Sequence, residues 1–501
     1  MPDRVWIPVA AVVLACGYLP TLAAPFDFID DGNLVYPAPA GTTFAGHVDR
    51  WWDRVRANYD HLGPFRPTLW AHWETAAALC DGDPRPWRAW RLAWCGLSAG
   101  MLLWLLRELK VRPLAAVLAA AAAMWNPYRN EIWTSLTLGE GVAMPYALFA
   151  LVAARRAAAS PRPLAWDLAS AAAVLMALGC KNVFAALVPA QLALRVLADG
   201  VPVREALRRH GRRAAALSLT LLLPVAHYAY FRLNWHPGQY ETTGPTLDQA
   251  ARLLRALKGA VGLDFLGVGL LLTAIAITLQ SPRIAMRELP TSHRPALLAA
   301  VLLLAAGFAV YLPLGMMSGR YTMPAVWGLD IAIGLVLTLF VALPASAGKR
   351  LAWAGLTVGV VALAVVNVAR QEKLTARSRL LWQAVEYVEA TAPPGAAIEW
   401  AADDALNAEE GIHFAWHLKH RGRPDIAVGL ADADGRPLSR VELPPPGRPP
   451  LYRVSVGPAA GWEPERAFAA ADRFGRKRFA VELARRPNAG EPTVIRAQTG
   501  R

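Results

Sequence analysis

The sequence predicts an α-helical polytopic membrane protein with about eleven transmembrane helices, interfacial helices in its first outer loop and a small C-terminal α/β extracytoplasmic domain. Three observations carry this. Of 501 residues, 55% are apolar and only 18% charged, and mean hydropathy is +0.28, too apolar for a soluble globular chain. Spans of roughly 20 residues still leave more than half the chain outside a bilayer. The net charge of +14 in such a chain reads as basic cytoplasmic loops rather than as a nucleic-acid surface. Four cysteines, Cys16, Cys80, Cys95 and Cys180, have no CxxC spacing, which supports neither a disulfide framework nor a zinc site.

Apolar stretches run over 5–24, 89–107, 111–126, 133–154, 164–180, 182–198, 213–233, 260–280, 295–316, 322–344 and 351–369. The first, preceded by Arg4, resembles a signal peptide but is followed by many further spans, so it is read as an uncleaved span. Residues 164–198 as one helix would measure about 52 Å, well beyond a hydrocarbon core of about 30 Å. The chain is expected to break at Gly179-Cys180-Lys181-Asn182, with Lys181 at a surface. With eleven crossings and the N-terminus inside, the cytoplasmic segments hold eighteen Lys and Arg, and the shorter outer segments hold seven. Removing either doubtful crossing would strand a basic loop outside. The expected placement is therefore multi-pass in the cytoplasmic (inner) membrane, N-terminus cytoplasmic and C-terminal domain extracytoplasmic.

Residues 1–370 then form the membrane domain, in which 25–88 is the first extracytoplasmic loop, and 371–501 form the C-terminal domain. In the loop, Val48, Trp51, Trp52, Val55, Tyr59 and Leu62 recur at helical spacing, and Leu69, Trp70 and Trp73 lie on a second stretch. Interleaved charges are those of helices lying along a membrane interface. Residues 371–501 alternate a helical stretch, Leu380 to Ala390, with short apolar runs at Ala396-Ala397-Ile398 and Ile426-Ala427-Val428. A Pro/Gly-rich connector, Pro444 to Pro450, divides this region.

The densest chemical signal is Phe26-Asp27-Phe28-Ile29-Asp30-Asp31-Gly32-Asn33, directly after the first span. Adjacent carboxylates at a bilayer boundary raise each other's pKa and call for a proton, a cation or a basic partner. A general base that takes a proton from an acceptor hydroxyl uses such an arrangement; the dipeptide by itself also fits a solvated acidic turn. Glu131 lies in Trp125-Asn126-Pro127-Tyr128-Arg129-Asn130-Glu131, and Glu140 falls about two turns into the fourth stretch. An unpaired charge there costs about 2.5–3.5 kcal/mol on insertion scales, so Glu140 is either functional or paired with a basic residue of another helix. Lys181 and Arg320, both at the outer face, are its candidate partners, and both suit phosphate. Asp264 and Asp330 are weaker candidates that fit helix packing equally well.

Five segments in order resemble the polytopic GT-C fold glycosyltransferases, and among them the O-mannosyltransferase-like group whose membrane domain often precedes tetratricopeptide repeats. They are Asp30-Asp31 after the first span, Phe65-Arg66-Pro67-Thr68-Leu69, Asn126 to Glu131, Gly179-Cys180-Lys181-Asn182 with Pro189, and Gly319-Arg320-Tyr321-Thr322-Met323-Pro324. Together they cover most of residues 1–370. Asn182 and Gly319 replace acidic positions of the family pattern, Asn126 replaces a His, and no tetratricopeptide period occurs in the tail.

The resemblance implies a lipid-phosphate-sugar-dependent glycosyltransferase that moves a sugar from a polyprenyl-phosphate donor to a glycan, lipid or protein acceptor on the outer side. It makes Asp30 or Asp31 the base, with Glu131 and Glu140 the next carboxylates. It gives the donor phosphate to Arg320, assisted by Lys181, Tyr321 and Arg66. No nucleotide or P-loop is required, and no nucleic acid is an expected partner. Some relatives hold a divalent metal ion near the acidic pair, for which the sequence offers no clear ligand set. A transporter or lipid flippase without chemistry is the competing class; it calls for repeated broken helices, and no second copy of either half is evident. A non-catalytic scaffold is the third.

Overall fold

The computed structural model describes residues 3–28, 31, 34, 42–60, 65–80, 83–197, 203–234, 251, 254–255, 257–259, 266–280, 293–311, 322–403, 406–432, 434–438, 447–456, 461–471 and 478–487. Asp30, Arg320 and Tyr321 lie outside them. The chain divides into two compact units, Met1–Leu22 with Ala40–Gln371, and Ala23–Pro39 with Glu372–Arg501.

The first unit is helical. Its helices are α1 (Asp3–Cys16), α2 (Phe44–Asp60), α3 (Pro67–Cys80), α4 (Pro84–Glu108), α5 (Pro113–Met124), the single turn α6 (Glu131–Thr134), α7 (Gly139–Ala159), α8 (Pro163–Leu178), α9 (Leu187–Val196), α10 (Val203–Ser218), α11 (Leu222–Asn234), α12 (Gly267–Gln280), α13 (Arg294–Tyr311), α14 (Ala325–Ala342) and the first part of the 45-residue α15 (Ala347–Thr391), whose residues from Glu372 on belong to the second unit. Pro at the first turn opens α3, α4, α5 and α8, where its missing N–H would be unpaired in any case. Among the described residues, α4, α7, α14 and α15 are long and apolar enough to cross a membrane, and six shorter apolar helices accompany them. These are the helices of an integral membrane protein.

Small residues bring the helices together. Ala115, Ala116, Ala119 and Ala120 of α5 and Ala147, Ala150, Ala153 and Ala154 of α7 are all buried. In a bilayer, backbone approach and interhelical hydrogen bonds hold helices where no hydrophobic force acts between them. Ser170 Oγ of α8 donates to the Ala150 carbonyl at 2.6 Å, and Gln191 Nε2 of α9 donates to Ser170 Oγ at 2.8 Å. Arg195 binds Asp167 through two bonds of 2.7 and 3.2 Å, so neither buried charge stands alone.

The break at Gly179 is present. Helix α8 stops at Leu178, and a 3-10 turn over Asn182–Ala186 leads into α9. In the loop after α1, α2 and α3 are tied by Trp51 Nε1, which donates to the Pro67 carbonyl at 2.9 Å. The buried Glu74 carboxylate takes His47, Arg50 and Arg54 of α2 at 3.0, 3.2 and 3.0 Å. Phe44, Val48, Trp52 and Leu79 stay exposed on this pair.

The second unit is α/β. Strands β1 (Ala397–Ala401), β2 (Ala427–Ala431), β3 (Pro437–Leu438), β4 (Tyr452–Ser455), β5 (Glu463–Ala471) and β6 (Arg478–Arg485) form one sheet in the order β3-β2-β1-β4-β6-β5. Pairs β1–β2 and β1–β4 are parallel, and the remaining three pairs are antiparallel. Helix α16 (Ala408–His420) connects β1 to β2. It begins at a capping box: Asn407 Oδ1 accepts from Glu410 N at 2.8 Å, and Glu410 Oε2 accepts from Asn407 N at 2.9 Å. The core joins Leu381, Val385 and Val388 of α15, Ile398 and Trp400 of β1, Phe414 and Leu418 of α16, Val454 of β4 and, from the distant N-terminal segment, Phe28.

Candidate active site

In the first unit, three of the segments singled out by the sequence meet at the chain break. The Gly179 carbonyl accepts from Thr68 N and Leu69 N at 3.0 and 3.2 Å, capping first-turn amides of α3 that have no intrahelical acceptor. A Cβ at Gly179 would lie 2.2 Å from Thr68 Oγ1, and one at Gly139 would lie 2.9 Å from the Cys180 carbonyl. The backbone contact at Gly139 leaves no room for a side chain without moving the Cys180 carbonyl, and one at Gly179 would have to displace the Thr68 hydroxyl. Arg66, Glu140 and Lys181 are thereby gathered around Cys180, within electrostatic range of which Arg66, Arg91 and Glu140 all fall.

Lys181 Nζ donates to Glu140 Oε1. The Glu140 side chain is 2% exposed and that of Lys181 is 15%, so the ion pair runs from the protein interior toward a rim. Arg66 Nε is buried and makes no hydrogen bond among the described residues. Beside them, Arg91 of α4 donates to the Ile132 and Leu138 carbonyls and lies 5.6 Å from the Trp133 ring centroid. Arg88 donates to the Thr134 carbonyl. The result is a concentration of basic side chains with Glu140 inside it, an electrostatic environment suited to a phosphate. The sequence reading passed over Arg88 and Arg91. Their spacing of three along the first turns of α4 is the signal that could have found them.

The Asn126 to Glu131 segment is held by a structural network. Asn126 Oδ1 accepts from Tyr128 N at 2.8 Å, Arg370 donates to the Pro127 carbonyl, and Asn130 Nδ2 donates to Asn367 Oδ1 at 3.3 Å. Arg129 and Asp330 form a pair of 2.7 Å whose side chains are 2% and 0% exposed. Glu131 opens the turn α6.

Asp31 belongs to the second unit. It is fully buried, and its Oδ2 accepts from Asp27 N at 2.9 Å while its carbonyl accepts from Leu34 N at 2.9 Å. Asp27 Oδ1 accepts from Phe28 N at 2.7 Å. Nearby, Arg377 Nε and Nη2 donate to the two Glu410 oxygens at 2.7 and 2.8 Å. Burial holds the Glu410 carboxyl above its usual range, a shift that Arg377 opposes and the Asp27 charge supports. Burial lowers His417 to about 3, assisted by His413 and His420, and burial lowers His413 to about 4. Arg377, Glu410, His413 and His417 were not singled out from sequence, since nothing local marks them as neighbours of residues 27–31. Among the described residues, no three His, Cys, Asp or Glu side chains are grouped as metal ligands.

No protein-family model and no curated protein matches the chain. Solved structures do. The crystal structure of ArnT from Cupriavidus metallidurans bound to undecaprenyl phosphate aligns with a TM-score of 0.53 at 12% identity, covering 98% of this chain and 100% of that one. The same protein in the apo state aligns at 0.52 and 13%, covering 96% and 97%. The O-mannosyltransferase-like group is not singled out by this likeness. At such identity what is shared is the architecture, and the chain has an ArnT-like, GT-C-type fold over nearly its whole length.

Proposed function

We propose that the chain is a membrane glycosyltransferase that takes a sugar from a polyprenyl-phosphate donor and passes it to an acceptor on the extracytoplasmic side of the inner membrane. The observation that carries this reading is the likeness along 98% of the chain to a structure holding undecaprenyl phosphate. The gathering of Arg66, Lys181 and Glu140 at the Gly179 break agrees with it.

In this reading eleven crossings leave the N-terminus in the cytoplasm and residues 25–88 and 371–501 outside. Arg66 and Lys181, with Arg320 and Tyr321 from the following motif, hold the donor phosphate. Glu140 keeps the Lys181 ammonium in place and balances its charge before the donor enters. Asp31, or its neighbour Asp30, accepts the proton of the acceptor hydroxyl as that oxygen attacks the anomeric carbon. The bond from that carbon to the phosphate oxygen breaks with its electron pair, and polyprenyl phosphate departs. A phosphate monoester is a stable leaving group, so the cations need only neutralise the charge that develops on it. The residue roles above call on no metal; among the described residues, the Glu410 carboxylate near Asp27 is already taken by Arg377 and the Asn407 amide.

Mass spectrometry of surface glycans and lipids in a deletion strain tests this. A sugar modification lost on deletion, restored by the wild-type chain and not by Asp30→Asn/Asp31→Asn, is the expected result. An unchanged set of glycans and lipids would overturn it.

A further inference from the structure

The acidic segment is packed into the second unit through Phe28. That ring is fully buried. It lies 5.9 Å from the Trp382 ring centroid, 6.5 Å from Phe414 and 4.7 Å from His417, edge-on to the imidazole. Phe26 stacks on the same imidazole at 6.3 Å, and Trp382 meets it edge-on at 4.8 Å. Three rings therefore enclose His417, which is itself fully buried.

The polar contacts continue the same line. His417 Nε2 stands 3.4 Å from the Asp27 carbonyl, a long hydrogen bond that places the ring proton on Nε2. Its Nδ1 is buried and has no hydrogen-bond partner among the described residues. Nothing there competes for the proton, which favours this tautomer. Asp27 thus faces two ways: its carbonyl meets His417, and its N–H donates to Asp31 Oδ2. One oxygen of the Asp31 carboxylate is thus tied to a residue that meets the α16 imidazole and is followed by the Phe28 plug.

We propose that Phe28 and His417 form an anchor that sets the direction of the Asp31 carboxylate, with His417 a positioning residue for proton transfer. This rests on the reading of Asp31 as the base. A carboxylate misplaced by about 1 Å loses on the order of 10²-fold in rate, so the anchor acts on turnover and leaves the lipid-phosphate site alone.

The experiment uses the full chain in proteoliposomes, with donor and acceptor lipids extracted from the native envelope. Phe28→Ala, Phe28→Leu, His417→Gln and Asp31→Asn are compared by sugar-transfer rate, by affinity for undecaprenyl phosphate and by amide exchange. Phe28→Ala is expected to lower the rate about 10- to 100-fold, with undecaprenyl phosphate affinity within about twofold. The amides of residues 26–28, 31 and 34 should exchange faster while β1 and β4 stay protected. His417→Gln, whose amide still donates but lacks the ring, should fall between Phe28→Ala and wild type. Phe28→Leu, which keeps most of the apolar volume, should recover most of the rate. If β1 also loses protection in Phe28→Ala, the unit has unfolded, and Phe28→Leu and His417→Gln decide the matter by the same readouts.

Faster exchange at residues 26–28, 31 and 34 with an unchanged rate overturns the positioning role, and unchanged exchange there overturns the anchor. The two readings fail separately. Wild-type transfer by Asp31→Asn removes Asp31 as the base, whereas the exchange data judge the anchor whatever that variant does.

Discussion

Lys181→Met and Glu140→Gln remove the two halves of one ion pair, and their consequences should be unequal. Lys181→Met leaves a carboxylate that is 2% exposed without its ammonium. Breaking a buried pair from one side costs about 3–5 kcal/mol, roughly a 10²- to 10⁴-fold fall in the folded-to-unfolded ratio. Glu140→Gln leaves the ammonium, whose side chain is 15% exposed. The flexible lysine stem lets that charge move toward water, so breaking this pair from the Glu140 side costs less, about 1.5–3 kcal/mol for a hydrogen bond to a charged group. The double variant leaves neither charge buried and should be more stable than Lys181→Met alone. Denaturant titration in mixed micelles, read by tryptophan fluorescence, measures all three. In parallel, undecaprenyl phosphate affinity should fall on Lys181→Met in either background and hold or tighten on Glu140→Gln, which frees Lys181 of its counter-charge. Equal destabilisation by the two single variants, or a double variant worse than Lys181→Met, would refute the burial argument. Unchanged affinity in Lys181→Met would remove Lys181 from the phosphate site.

Arg320→Ala should weaken undecaprenyl phosphate binding, and Arg320→Lys should restore only part of it because the planar fork is lost; equal affinity in all three removes that role. The second unit should lose stability as pH falls. His413 and His417 are held near 4 and 3 in the fold against about 6.5 unfolded, so the stability they contribute is present above pH 6.5 and declines below it. The pair should account for roughly 3 kcal/mol at pH 5.5, at 1.36 kcal/mol per unit for each group. Glu410, raised by burial, acts with the opposite sign, its contribution being lost as pH rises through its folded pKa. His413→Gln/His417→Gln should therefore flatten the acid slope, and a slope unchanged in that variant would contradict the assignment. Single cysteines at Gly41 or Gly475, in an otherwise cysteine-free chain, should react with an impermeant reagent in intact cells. Labelling only after cells are broken would invert the topology.

The architecture was legible where a linear property of the chain decides it. Hydropathy marks the apolar helices, and the length of 164–198 forces the break at Gly179. The runs at Ala396 and Ile426 are the lead-ins to β1 and β2. The helical stretch at Leu380 was also legible, but its continuity with the eleventh apolar stretch was not. Arg370, Gln371 and Lys373 read as an end to a span, yet polar residues leaving a bilayer have no reason to interrupt backbone hydrogen bonding, and α15 runs through them.

The candidate site was legible in its residues and in one of its contacts: the pairing of Glu140 with Lys181 was expected from the cost of a charge within an apolar stretch, and the structure has it. The approach of the Arg66 segment was not legible, because it depends on two glycines that a hydropathy profile treats as neutral. The packing of Phe28 against Phe414 and His417 spans nearly four hundred positions of sequence. A short apolar residue pattern around Asp27 carries no sign of which distant core it fills. Glu74, gathering His47, Arg50 and Arg54, went unmarked because a single acid in an amphipathic stretch reads as a solvated face.

The most direct test of the central claim is the fate of the carrier lipid. Purified chain in proteoliposomes is supplied with the sugar-bearing polyprenyl phosphates and acceptor lipids of the native envelope, and free polyprenyl phosphate is quantified against sugar gained by the acceptor. The account predicts one polyprenyl phosphate released per sugar transferred, slowed at least about 10²-fold by the Asp30→Asn/Asp31→Asn variant. Sugar-bearing lipid carried across the bilayer intact, with no polyprenyl phosphate released, would contradict it and leave a transporter in its place.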